Sequence, residues 1–474
     1  MNLLKFILVL ILLALPLSQA SAQVVNQDLN TESANVVVVP KWQIALDSEA
    51  HTPQTADLDR DGKAEIIIST YKYIYIASYS GKIVSKIPIV SSENDNPPVI
   101  VNMDSDKDLE IVSDDGKSVG AWNMDGSLVS GWPQKVDRDY VNAVMASDLE
   151  KDGKMDIIAS VYSAAGISQI YIWNSNGGKR AGWPKNFNYY PGVPSLADLN
   201  KDGKIEIVFP TKKLGNQAAS SKLFVFKENG TLLPGWPITH SRDIDVVSVG
   251  DLDGNGSLEI LAGTGYALDF GGNKILAFNK DGTPFGNWSN PLTNYNLTHI
   301  SMGDINNNGK LEIAVDDAAG GGGFAKLLSY NGEMLNRWPI TISQNEDALQ
   351  APILVDITND SKADFISPLG SGKIFAAERN GTRIPLSINI APLFATHVLV
   401  NDFDINGKLE MLIVGTDFNT NKSKIFMYNL NSNTNPSAFL WKSERHDLKN
   451  TGKYTKVSQT NSLSPSSLFD DIEE

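Results

Sequence analysis

Eight copies of one nine-residue acidic stretch run through this chain of 474 residues. They are DLDRDGKAE from Asp57, NMDSDKDLE from Asn102, DLEKDGKMD from Asp148, DLNKDGKIE from Asp198, DLDGNGSLE from Asp251, DINNNGKLE from Asp304, DITNDSKAD from Asp356 and DFDINGKLE from Asp402. Their starts lie 45, 46, 50, 53, 53, 52 and 46 residues apart. A period in that range means an array of equivalent units, each too small to bury a core alone.

Positions 1, 3 and 5 of each copy carry a carboxylate or an amide, Thr358 being the one exception. Position 6 is usually glycine, and position 9 is always acidic. Alternate residues of a tight loop can aim their oxygens at one centre, and calcium takes about 6–8 hard oxygen ligands. Position 7 can add a backbone carbonyl. An EF-hand starts similarly but closes with Glu at position 12, between helices. Here the acid comes three residues sooner and a β-branched run follows, as in "IIIST", "IVFP" and "ILAG". A plain Asx-Gly turn would need no such crowding of acids. The eight stretches hold 26 of the chain's 55 acidic residues, and carboxylates so close repel unless a cation lies among them.

The expected cofactor is therefore Ca2+, up to eight ions. The expected ligands are Asp57, Asp59, Asp61, Lys63 and Glu65 in the first loop, and Asn102, Asp104, Asp106, Asp108 and Glu110 in the second. The third offers Asp148, Glu150, Asp152, Lys154 and Asp156, and the fourth Asp198, Asn200, Asp202, Lys204 and Glu206. Asp251, Asp253, Asn255, Ser257 and Glu259 form the fifth, and Asp304, Asn306, Asn308, Lys310 and Glu312 the sixth. Asp356, Asp360, Lys362 and Asp364 form the seventh, and Asp402, Asp404, Asn406, Lys408 and Glu410 the eighth. The residues at position 7 enter through their carbonyls. The second loop has Lys107 in place of glycine. The sixth, rich in amides, should bind more weakly, and the seventh should be the emptiest.

Each unit reads as four strands. One precedes the loop ("GVPSLADL", "DVVSVGDL", "LTHISMGDI"), and the apolar run follows it. A third alternates apolar and polar residues ("SKLFVFKENG", "NKILAFNKDG") and ends in an Asx-Gly turn. A short last strand carries Trp-Pro, as proline on an outer edge would allow ("GWPQKV", "GWPKNF", "GWPITH", "RWPITI"). Four antiparallel strands per unit define a β-propeller blade. The expected fold is all-β, an eight-bladed β-propeller with the acidic loops between the first and second strands of each blade; seven blades is the alternative. "PKWQIALDSEAHTPQTADLD" parallels "SGWPQKVDRDYVNAVMASDLE", so Trp42 to Leu46 should complete the eighth blade and close the ring.

The loop, with "VVSVGDL" or "ISMGDI" before it and an apolar strand after it, resembles the FG-GAP or VCBS repeat of integrin α-subunit propellers and many secreted microbial proteins. The resemblance covers residues 41–455 and implies a calcium ion in each matching loop. The Phe-Gly and Gly-Ala-Pro marks of the integrin version are largely absent, which points to the microbial branch. "WKSERHDLKNTGKY", residues 441–454, is similar to a closing segment of such proteins, which implies a structural part for Trp441, Arg445, His446, Asp447 and Tyr454.

The first residues, "MNLLKFILVLILLALPLSQASAQ", have the layout of a secretory signal peptide, with cleavage expected after Ala22, and after Ala20 as the alternative. The organisation is then a signal peptide over 1–22, a linker over 23–40, the propeller over 41–455 and a Ser-rich, acidic, disordered tail over 456–474. The expected location is secreted: extracellular, at the cell surface or periplasmic. No later apolar run is long enough to span a membrane. The net charge of −15 argues against nucleic acid. The five histidines are dispersed, no cysteine exists, and neither G-x-S-x-G nor a P-loop occurs, so no catalytic residue is expected. "AAGGGGFAK", residues 318–326, reads as a flexible loop. Tyr71, Tyr73, Tyr75, Tyr189, Tyr190 and Tyr266 are candidates for stacking on sugars. The expected function is a calcium-stabilised binding or adhesion module, a monomer meeting an extracellular glycan or protein. A polysaccharide lyase or hydrolase, or a structural matrix protein, is the alternative.

Overall fold

The computed structural model describes residues 39–454, apart from 91–96, 105, 213–219, 266–272, 287, 289–290, 293–299, 320–321, 344–351, 436–438, 442–446, 448–450 and 452. The chain is an eight-bladed β-propeller, all-β, with eight antiparallel sheets in a ring. Among the described residues no helix is long and apolar enough to cross a membrane.

Blade 1 shows the plan. Its innermost strand, Gln54–Ala56, enters the acidic loop; Glu65–Ser69 leaves it; Tyr73–Ser78 and Ile83–Pro88 complete the sheet. The second strands are wholly buried, as in Glu65–Ser69, Glu110–Asp114 and Glu259–Thr264. Each is covered on both sides by neighbouring blades, so these runs are continuously apolar and β-branched rather than alternating. The core is accordingly a set of clusters between consecutive blades, such as Ile67, Ile76, Ile100 and Trp122 between blades 1 and 2.

The ring closes as the sequence pattern requires. Trp42–Ala45 is the outer strand of blade 8, whose other strands are Phe394–Asn401, Lys408–Asp417 and Lys422–Asn433. Trp42 lies opposite Met427 and Ala45 opposite Lys424, so strands some 380 residues apart in sequence share one sheet.

Blade 7 differs from the plan. Its sheet gains Phe439–Trp441 on the inner side of Ile353–Val355, with Trp441 opposite Leu354. Described residues further along the same segment meet the inner strands of other blades. The Asp447 carbonyl accepts from the Gln54 amide of blade 1, at 3.4 Å. Leu196 N of blade 4 donates to Thr451 O, and Tyr454 N donates to Val249 O of blade 5, at 2.8 Å. Leu440 packs against Gly303 of blade 6, where a Cβ would come within 2.5 Å. Leu440, Asp447, Thr451 and Tyr454 thus tie the C-terminal segment to the inner side of blades 1, 4, 5 and 6. Arg445 and His446, expected to be structural here, lie outside the described residues.

Two sets of side chains join the blades. On the inner ring, the serine three residues before the loop donates to the next blade's inner strand: Ser195 to Val247 O at 2.7 Å, Ser248 to Ile300 O at 3.0 Å, and Ser301 to Pro352 O. On the outer ring, an indole does the same. Trp132, Trp183, Trp236 and Trp338 donate to Ser175, Glu228, Lys280 and Arg379 carbonyls, and Trp42 to Tyr79. These carbonyls all lie in the turn after the next blade's third strand.

The Trp-Pro pair therefore stands just before the outer strand, not within it: the strands start at Gln134, Lys185, Ile238 and Ile340. The glycine before the tryptophan is needed for close approach. At Gly235 (φ 94°) a Cβ would lie 1.9 Å from Asp281 O. Trp236→Phe, which removes the indole donor and part of a buried ring, is expected to cost about 1–3 kcal/mol. Gly235→Ala adds left-handed strain and a backbone clash and should cost roughly 2–4 kcal/mol. Urea denaturation measures both, and a Gly235→Ala protein as stable as the parent would show that the close approach to Asp281 is not needed.

Candidate metal centres

All eight acidic loops lie on one face, between first and second strands, and they share one internal wiring. The position-9 carboxylate accepts from the backbone N–H of position 2 in every loop, from Leu58 N to Glu65 at 2.9 Å to Phe403 N to Glu410 at 3.0 Å. The position-5 side chain accepts from position 7 N, as in Lys63 to Asp61 at 2.8 Å. In seven loops the position-1 aspartate accepts from position 6 N, for example Gly62 to Asp57 at 3.0 Å. These bonds hold carboxylates at set places before any ion is considered.

The glycine at position 6 is required by backbone conformation. Gly62, Gly153, Gly203, Gly309 and Gly407 have φ of 82–88°, and a Cβ there would meet nothing within 4 Å. Ser361 takes the same turn at φ 65° in the seventh loop, at a strain cost. Loops of adjacent blades are also tied together: Ala64 N donates to Phe403 O, Ile205 N to Leu149 O and Leu311 N to Leu252 O.

The loops divide by what their carboxylates face. In four of them, three carboxylates come within 4.8 Å of one another: Asp57, Asp59 and Asp61; Asp104, Asp106 and Glu110; Asp251, Asp253 and Glu259; Asp402, Asp404 and Glu410. Each of these four also holds a buried carboxylate oxygen without a hydrogen-bond partner, on Asp57, Glu110, Asp251 and Asp404. Glu110 is fully buried. A desolvated anionic oxygen left unpaired costs several kcal/mol, so these donor sets fit a hard divalent cation. The second loop, without glycine, converges as well as the first.

Burial, and then the neighbouring acids, push Glu65, Glu110, Glu259 and Glu410 up to about 7. In the fourth loop Asp198 has an unpaired buried oxygen, while the Asn200 amide donates to Asp202 and to Glu206, at 3.0 and 2.7 Å. In the seventh, Asp356 is engaged by the N–H groups of Thr358, Asn359 and Ser361, and burial raises Asp364 to about 8.

The third and sixth loops contain an arginine that the sequence reading missed. Arg180 donates to Asp156 at 2.9 Å and to Glu150 at 2.7 Å. Arg379, from the turn of blade 7, donates to Glu312 of blade 6 at 3.3 Å. The sixth loop's Asn306 amide also bonds Glu312. A signal for Arg180 was present: aligned on the turn glycine it takes the place of Val129, Leu233 and Leu335 in other blades.

The opposite face carries the turns between second and third strands and the connections between blades. Tyr140 stacks on Tyr162 with centroids 5.1 Å apart, and Tyr190 meets Tyr162 edge-on at 5.8 Å. On blade 8, Phe394 and Phe418 pair at 5.1 Å and stay 38% and 46% exposed. Of the sequence candidates, Tyr190 and Tyr71 lie on this face. Tyr73 and Tyr75 do not; they stand along the third strand of blade 1, where the Tyr75 hydroxyl bonds Asp47 at 2.9 Å. Tyr189 packs against the core between blades 3 and 4. Tyr266 lies outside the described residues.

Fold and site together define a closed eight-bladed propeller with a ring of acidic loops on one face and clustered aromatic rings on the other. The propeller of Dos1 is similar in structure, with a TM-score of 0.51 and 10% sequence identity, covering 85% of this chain and 97% of that one. A europium-containing methanol dehydrogenase matches with a TM-score of 0.49 at 11% identity, over 80% of this chain and 85% of its own. The V. cholerae biofilm matrix protein Bap1 matches at 0.42 and 14%, over 85% and 82%. At these identities the likeness is one of fold alone. No family model matches the chain, and no curated protein sequence matches it.

Proposed function

We propose that this chain is an exported, calcium-stabilised propeller that binds an extracellular glycan through the aromatic face opposite its acidic loops. The single observation that carries the binding reading is the set of rings on that face: the half-buried Tyr140, Tyr162 and Tyr190 over blades 3 and 4, and the exposed pair Phe394 and Phe418 on blade 8. Aromatic rings with a face open to solvent offer flat apolar area, which suits the C–H faces of sugars. Calcium is assigned a structural part. It would be held by the four convergent loops, whose unpaired buried oxygens favour a cation, and would rigidify loops that already link blade to blade. Export rests on the leader of residues 1–22, which lies outside the described residues.

A polysaccharide panel, with calcium and with EGTA and with the supernatant assayed for released sugar, tests this reading. Saturable retention without release is expected. Phe394→Ala with Phe418→Ala, or Tyr140→Ala, should weaken it by about threefold to tenfold per ring removed. Unchanged retention in both variants would take the aromatic face out of the binding site. Sugar release would make the chain an enzyme, and no retention of any glycan would redirect the search to a protein partner.

A further inference from the structure

We infer that the loops of blades 3 and 6 are closed by arginine in place of a divalent cation, so that at most six of the eight acidic loops take metal. This inference rests on the calcium reading and sharpens it.

In the third loop the Arg180 guanidinium spans Glu150 and Asp156, the carboxylates of positions 3 and 9, at 2.7 and 2.9 Å. Those are two of the groups that a cation at the loop's centre would need. Calcium ligands stand about 2.3–2.6 Å from the ion, so an ion sharing these carboxylates would be pressed against the guanidinium. Like charges at that distance repel strongly where water is scarce, and Arg180 is only 19% exposed. The carboxylate lengths are also exchanged there. Most loops have a short side chain at position 3 and Glu at position 9, whereas this one has Glu150 and Asp156. The longer acid reaches the guanidinium near the surface, and the shorter one, almost fully buried, meets it from below.

In the sixth loop the guanidinium comes from the next blade. Arg379 is anchored by its own carbonyl, which accepts from the Trp338 indole at 2.8 Å, and its side chain reaches back to Glu312. Glu312 is 3% exposed and is also bonded by the Asn306 amide and by Ile305 N. Its carboxylate is therefore fully engaged by donors of this chain.

Lys41 also reaches the eighth loop, at 3.1 Å from Asp404 and 3.9 Å from Glu410, but it leaves the second Asp404 oxygen unpaired. Unpaired buried carboxylate oxygens occur in loops 1, 2, 4, 5 and 8, and among the described residues none is found in loops 3, 6 and 7; in loop 7 backbone N–H groups, not an arginine, engage Asp356 and Asp364. A guanidinium offers planar N–H donors that pair with two carboxylates at once. It thus supplies, without metal, the charge and the bonds that the third and sixth loops need. In the sixth loop it also ties blade 6 to blade 7.

Calcium stoichiometry by equilibrium dialysis on the full chain, with calcium alone as the probe, tests the inference. The parent protein is expected to saturate at six ions or fewer. Arg180→Gln and Arg379→Gln should each gain one ion per chain, and the double variant two. Saturation of the parent at seven or eight, or unchanged stoichiometry in folded variants, would overturn the arginine assignment while leaving calcium in place. No calcium on any of the proteins would overturn the calcium reading and this one with it.

Hydrogen exchange on the parent protein gives a second measurement that needs no substitution. Calcium should protect residues 57–65, 102–110, 251–259 and 402–410, and leave 148–156 and 304–312 exchanging as they do in EGTA. Equal calcium-induced protection of the third and sixth loops would refute the assignment.

Discussion

EGTA should lower the melting temperature of this protein by on the order of 10 °C, given about 2.7 kcal/mol for each ion present at roughly 100 times its Kd and four convergent loops. The loss should be larger at neutral than at acid pH. In the metal-free protein, burial and neighbouring acids raise Glu65, Glu110, Glu259 and Glu410 to about 7. Between the usual carboxylate range and about 7 the folded state then holds more protons than the unfolded one, so its stability falls as pH rises through that window. Calcium removes the penalty by pairing with the ionised form, and its binding near pH 7 should release protons. Scanning calorimetry at pH 5 and pH 7.5, with calcium and with EGTA, checks both statements. A melting curve that EGTA leaves in place at pH 7.5 would end the calcium account.

Removing residues 439–474 should be nearly as damaging. That cut deletes the strand paired with Ile353–Val355, the backbone bonds to Leu196 and Val249, and the buried side chains of Leu440 and Tyr454. Loss of two such side chains points to a cost of roughly 5 kcal/mol or more. Tyr454→Ala alone, which empties a site lined by Gly250 and the core of blades 5 to 7, should cost about 3–5 kcal/mol. Chemical denaturation measures both. A truncated chain as stable as the parent would make the C-terminal segment a passenger rather than a brace. A second use of the experiment is to ask whether the truncation changes calcium stoichiometry. Apart from inner strands, the segment meets the sixth acidic loop, where Tyr454 lies against Asp304; that loop is one of the two inferred to take no ion, so the number of ions bound by the folded fraction should stay the same.

The glycan reading and the calcium reading are separable, because they concern opposite faces. Substitution of Phe394 or Phe418 leaves the acidic loops untouched, while substitution of Glu110 leaves the aromatic cluster intact. Loss of retention in EGTA would therefore report on the integrity of the ring, not on calcium at the binding face.

Local pattern made much of this protein legible from its sequence. The spacing of the acidic stretches sets the number of blades, and each stretch joins the first strand to the second because an Asx-rich turn with left-handed glycine leads directly into a β-branched run. Ring closure by Trp42–Ala45 was legible for the same reason: that segment repeats a pattern seen in the other blades. What sequence reasoning placed wrongly or missed depends on contacts between residues far apart in the chain. Trp-Pro looked like strand, but the tryptophan's role is set by a carbonyl in the next blade, some 40 residues on. Tyr73 and Tyr75 looked like candidates for a binding face, but the direction of their strand places them along the blade's side.

The sequence by itself thus determined the repeat, the eight blades, the acidic loops and the strand that closes the ring, since each is written within about 50 consecutive residues. Only the tertiary structure decided that Leu440, Asp447, Thr451 and Tyr454 stand against the inner strands of other blades, and that Arg180 and Arg379 enter two of the loops. A carboxylate cluster is a local property of the chain, whereas the cation that answers it is whichever positive group the fold brings closest. In blade 3 that group is a residue of the same blade, 24 positions beyond Asp156, and in blade 6 it is 67 positions beyond Glu312.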